Sequence, residues 1–82
     1  MKIEFKKSAF NRNISEDNIR HAFMNPNYDG SIEEDGFNNR FLRLGFDMSG
    51  NLLEIMYNEY EDRVCIFHVM KCRGIYFHLL EP

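Results

Sequence analysis

Val64-Cys65-Ile66-Phe67-His68-Val69-Met70-Lys71-Cys72-Arg73 decides how this chain folds. It begins as an apolar run after the charged turn Glu59-Tyr60-Glu61-Asp62, the pattern of a strand covered on both faces. It then delivers His68, Lys71 and Arg73 within six residues, and Gly74 breaks the pattern. A proton-transfer group and two cations thus mark the end of a buried strand, either as a site or as a terminus dressed for water.

Upstream, Arg40–Asp47 alternates Leu42, Leu44 and Phe46 against Phe41, Arg43 and Gly45. Leu52–Asn58 alternates Leu53, Ile55 and Tyr57 against Leu52, Glu54 and Met56, so each segment reads as a strand with one apolar face. Asp47-Met48-Ser49-Gly50-Asn51 supplies the hairpin turn between them. Consecutive strands with tight turns predict an antiparallel meander, with Arg63–Met70 as its central strand. Arg43 and Glu54 fall on the less apolar faces of neighbouring strands and are spaced to pair, at roughly 0–1 kcal/mol if exposed.

Ile14–Asn25 reads as a helix. Ser15 is a good N-cap, Glu16 and Asp17 suit the positive end of the helix dipole, and Ile14 and Ile19 can staple across the cap. Ile19, Ala22 and Phe23 make one apolar face, His21 falls off it, and Pro26 stops the helix at Asn25. Residues 1–13 fit a short edge strand or an irregular turn of helix equally well. Tyr28–Asn39 is polar and acidic, anchored only by Ile32 and Phe37, and reads as a long loop. After Gly74, Ile75, Tyr76, Leu79 and Leu80 share one face of a short C-terminal helix, with His78 opposite. The expected fold class is therefore α+β, one domain over residues 1–82. It has an N-terminal helix, a three-stranded antiparallel meander with room for a short extra N-terminal strand, and a short C-terminal helix, the helices covering one sheet face.

Composition narrows the function. At 82 residues and 44% hydrophobic, the chain can bury one core. No apolar run approaches the roughly 20 residues of a membrane span, and Met1-Lys2-Ile3-Glu4 does not open a signal peptide. Cys65 and Cys72 lack a ligand or disulfide spacing and read as reduced thiols, so a cytoplasmic protein is expected. The net charge of −3 disfavours broad nucleic-acid binding, but both ends of the chain are basic and the middle is acidic. Between Arg63 and Leu80 there is no acid at all.

No metal-ligand spacing, phosphate loop, nucleophile elbow or paired-carboxylate signature occurs, so neither metal nor cofactor is expected. What remains is phosphate chemistry by a His/Lys/Arg cluster. His68 can act as acid or base, while Lys71 and Arg73 can stabilise a crowded phosphate.

Three segments in order resemble a known group. Ile14-Ser15-Glu16-Asp17-Asn18-Ile19-Arg20-His21-Ala22-Phe23 is similar to the first helix of small bacterial proteins of the BrnT/RelE-like toxin group. Arg40-Phe41-Leu42-Arg43-Leu44-Gly45-Phe46-Asp47 with Gly50-Asn51-Leu52-Leu53-Glu54-Ile55 resembles its strands. Ile66-Phe67-His68-Val69-Met70-Lys71-Cys72-Arg73 resembles its HAM-x-x-R segment, with Val69 in place of the usual alanine. The resemblance implies a RelE-like fold and the toxin half of a type II toxin–antitoxin pair, with ribonuclease activity on mRNA. It implies a small antitoxin partner as well. His68 and Arg73 match its H…R positions with Lys71 between them, and these three are the expected catalytic residues. Arg43 and His21 match its strand and helix positions and, with Arg40, are the expected substrate-binding residues. Two other readings stand beside it. One is a catalytically inert module that binds a protein partner; the other is a homodimer formed through an exposed edge such as Arg40–Asp47.

Overall fold

The computed structural model describes residues 1–32, 36 and 38–81. Its strands are β1 (Lys2–Phe5), β2 (Pro26–Ser31), β3 (Phe41–Phe46), β4 (Leu52–Glu59) and β5 (Arg63–Lys71), with one α-helix, α1 (Glu16–Met24). Two 3-10 elements, Lys7–Phe10 and Gly74–Leu80, complete it.

The helix forms where its local signals lie. Ser15 Oγ accepts from the Asn18 N–H at 3.2 Å, and Ile19, Ala22 and Phe23 are buried. Asn25 caps the other end, donating its side-chain amide to the His21 carbonyl at 2.8 Å just before Pro26. Gly45 on β3 lets this helix lie directly on the sheet. A Cβ there would collide with the backbone carbonyls of Ala22 and Asn25, so only glycine allows so close an approach. Asp47 closes the β3–β4 turn by accepting from the N–H groups of Ser49 and Asn51, each at 2.9 Å.

The sheet corrects the expected fold. It has five strands in the order β1-β5-β4-β3-β2, and β1 runs parallel to β5, so it is a mixed sheet and not a three-stranded meander. The central strand is β4; β5 lies between β4 and β1. Residues 1–13 contain both forms that their pattern allows, a strand followed by a 3-10 turn with Ala9 buried. Part of the expected Tyr28–Asn39 loop belongs to β2, an edge strand that pairs antiparallel with β3. Edge strands hold on by backbone bonds and need little apolar alternation, which is why PNYDGS carries no strand pattern. Pro26, which has no N–H to donate, stands at its first position. Of that loop's two expected anchors, Ile32 donates its N–H to the Arg40 carbonyl at 2.8 Å, and Phe37 lies outside the described residues. Arg40–Asp47 is no edge: β3 is enclosed by β2 and β4, so the edges are β1 and β2.

Both faces of the sheet are covered, by different elements. Register puts Phe41, Arg43 and Gly45 opposite Tyr57, Ile55 and Leu53, and these share the α1 face with Val69, Ile66 and Val64 of β5. The main core lies here, with Ile19, Ala22 and Phe23 packed against Leu53, Ile55 and Tyr57. Leu42 and Leu44 fall on the other face, opposite Met56 and Glu54, and are buried without belonging to that core. The apolar sets of β3 and β4 thus face opposite ways, and the helical elements do not share one face. The C-terminal element is a 3-10 segment. At three residues per turn Tyr76 and Leu79 fall on one side and are half-buried, and Ile75 turns to solvent at 63% exposure, off the expected apolar face.

Candidate functional site

Glu54 is a carboxylate in the middle of the central strand, flanked by Leu53 and Ile55, and it is fully buried. An ionised group there needs partners, and it has a full set. Its Oε1 accepts from the Arg73 backbone N–H at 2.9 Å and from Arg73 Nε at 3.0 Å. Its Oε2 accepts from Arg73 Nη2 at 2.8 Å and lies 2.9 Å from His68 Nε2. Burial pushes this carboxyl up, but the side-chain and backbone hydrogen bonds from Arg73, that from His68 and the guanidinium charge together hold it below its ordinary value. The same bonds raise the Arg73 guanidinium.

Geometry fixes the histidine. A carboxylate can only accept, so Nε2 carries a proton toward Glu54, and in the neutral form of the ring Nδ1 is then the acceptor. The side chain of His68 is 21% exposed and that of Arg73 46%, so both reach solvent while the anion between them does not. A β-bulge on β5, where register shifts between Met56 and Tyr57 of β4, brings Phe67 in beside His68. The Arg40 guanidinium lies over the Phe67 ring, 5.4 Å from its centroid. Cys72 adjoins the cluster, but burial and then the Glu54 charge push its thiol up, away from a reactive thiolate.

The remaining predicted site residues lie elsewhere. Lys71 is exposed and opposite Leu53 in register, on the α1 face, and His21 is exposed on α1. Arg43 belongs to a second network and does not pair with Glu54, because the two side chains leave the sheet on opposite faces. Its Nε donates to Asp29 Oδ1 at 3.2 Å, its Nη1 to the Phe23 carbonyl at 2.8 Å and its Nη2 to the Tyr57 hydroxyl at 3.2 Å. The group stacks 4.0 Å from the Phe23 ring centroid. Tyr57 donates its hydroxyl to Asp29 at 2.7 Å, and burial, then that bond, push its ionisation far up. This network ties the end of α1 to β2, β3 and β4.

His68 and Arg73 therefore converge, Arg40 stands nearby, and Lys71, Arg43 and His21 are apart from them. Glu54 is the residue that the chemical reading of the sequence passed over. Its signal is an acid inside Leu52-Leu53-Glu54-Ile55-Met56, which in a strand covered on both faces demands a buried partner. Among the described residues, no group of three or more His, Cys, Asp or Glu side chains could hold a metal ion. Among the same described residues, no helix is long and apolar enough to cross a membrane. Comparison with protein-family models, with curated proteins and with solved structures gives no match.

Proposed function

We propose that this chain is the toxin of a type II toxin–antitoxin pair and acts in the cytoplasm as a ribonuclease on mRNA. The observation that carries the reading is the convergence of His68 and Arg73 on the buried Glu54 carboxylate. A carboxylate that fixes one imidazole nitrogen as a donor leaves the other as a base, the arrangement that activates a hydroxyl in many hydrolytic sites. In this reading Nδ1 of His68 takes the proton of an RNA 2′-hydroxyl. The oxygen attacks the adjacent phosphorus, a 2′,3′-cyclic phosphate forms, and the 5′-oxygen leaves with a proton from water. The solvent-facing edge of Arg73 and the Arg40 guanidinium stabilise the phosphate charge. Glu54 is a positioning residue, since burial keeps it from the substrate. The resemblance of three ordered motifs supports the reading as well, and implies an antitoxin that covers this surface.

A second reading has its own observation. Arg73 gives Nε, Nη2 and its backbone N–H to one carboxylate, which is what an anchor for the following segment requires. The chain would then be a catalytically inert module that binds a protein partner. Strong induction of the gene without a neighbouring antitoxin gene separates the two. Growth arrest relieved by His68→Ala and by Arg73→Ala supports the ribonuclease; unimpaired growth at a confirmed protein level supports the module.

A further inference from the structure

Beyond Lys71 the chain turns back across the sheet face opposite α1. Cys72 donates its N–H to the Leu52 carbonyl at 2.9 Å, and Arg73 locks onto Glu54. Both partners belong to β4, yet the segment that follows packs against β2 at the sheet's far edge. It must therefore pass over β3, which accounts for the burial of Leu42 and Leu44 on that face. The Tyr28 ring of β2 lies across Gly30 on the same face, where any Cβ would displace it, and walls the far side.

The crossing segment is lightly held. None of Gly74–Leu80 is buried, and Ile75 and Phe77 are 63% and 53% exposed. Its own hydrogen bonds run within it, from Tyr76 N–H to the Arg73 carbonyl at 3.0 Å and from Glu81 N–H to the His78 carbonyl at 3.3 Å. Among the described residues, its polar attachment to the sheet stops at Cys72 and Arg73.

We infer that Gly74–Leu80 is a strap, latched over Leu42, Leu44 and Glu54 by the Arg73–Glu54 bonds, which opens as a unit while the five-stranded sheet stays folded. Opening draws Arg73 away from Glu54 and so takes its guanidinium out of the cluster with His68, which makes the latched strap the form in which that cluster is complete. That consequence for chemistry rests on the ribonuclease reading; the strap does not, and its test reads no activity.

Native-state amide exchange on the full chain, followed against low urea concentrations, tests it. The Tyr76 and Glu81 amides should exchange through an opening with little urea dependence, whereas the slowest amides of β4 and β5 show the steep dependence of global unfolding. Arg73→Lys keeps the charge and loses the fork. It should speed Tyr76 and Glu81 by one common factor of roughly tenfold or more, the loss expected of a charge-assisted hydrogen bond. Fraying at the segment's end would leave Glu81 unchanged. The inference is overturned if the strap amides share the urea dependence of β4 and β5, or if the two respond unequally or not at all. Should Arg73→Lys fail to fold, the wild-type urea dependence alone decides.

Discussion

Replacing Glu54 by glutamine removes one charge from the centre of the sheet and changes almost no volume. Removing one partner of a buried ion pair typically costs about 3–5 kcal/mol, because the other charge is left stranded. Here the stranded charge has an exit. Arg73 is 46% exposed and can turn to water. His68 can move its proton to Nδ1 and accept from the new amide, so the loss falls to about 2–3 kcal/mol. That is a large share of the roughly 4–12 kcal/mol that a chain of this size commands. In melting temperature it corresponds to about 10–20 °C. Urea unfolding at neutral pH measures it directly. The pH dependence has a definite sign. The carboxyl's folded-state value lies below its ordinary 4.5, so its contribution is complete above 4.5 and lost as pH falls through the folded value. The wild-type and Glu54→Gln curves should therefore converge in acid. A difference below about 0.5 kcal/mol at neutral pH, within the range of ordinary surface changes, would refute the reasoning, as would a gap that persists undiminished in acid.

Substitutions at three further positions test the frame around the site. Arg43→Ala should destabilise by about 2–3 kcal/mol in chemical denaturation, because the Phe23 carbonyl and the Tyr57 hydroxyl lose a charged donor where little water reaches. Arg43→Lys should recover only part of that, since a lysine cannot reach three acceptors with one fork. Gly45→Ala should lower the melting temperature by roughly 10 °C or more, as β3 and α1 must separate to admit the methyl group. Ser15→Ala should cost about 1 kcal/mol, seen as a parallel shift of the urea curve with unchanged slope.

What was legible in the sequence was local. The helix at 16–24 follows from Ser15, its acidic first turn and Pro26, all within a few residues of one another. The β3–β4 turn follows from Asp47, and the strands on either side of it from their alternation. Pairings between distant segments were not legible. Nothing in Lys2–Phe5 announces a parallel partner at Arg63–Ile66, and β2 is held by its backbone at an edge, where side-chain pattern is weak. The face assignment failed for a related reason. Leu42 and Leu44 look as though they should join Leu53 and Ile55, but a second cover lets neighbouring strands direct their apolar sets to opposite sides. The same second cover buries Glu54 and separates it from Arg43. Of the candidate site, the sequence marked His68 and Arg73 by type and position, while their meeting point is an acid whose importance depends on burial.

The most direct test of the central claim examines RNA itself. Purified protein, added to a translating extract without antitoxin, should leave mRNA fragments with new 5′-hydroxyl ends. His68→Ala, with an unchanged circular dichroism spectrum, should leave none. Absence of new ends with the wild-type chain, or identical ends with His68→Ala, would contradict the assignment of the Glu54–His68–Arg73 cluster as a ribonuclease site.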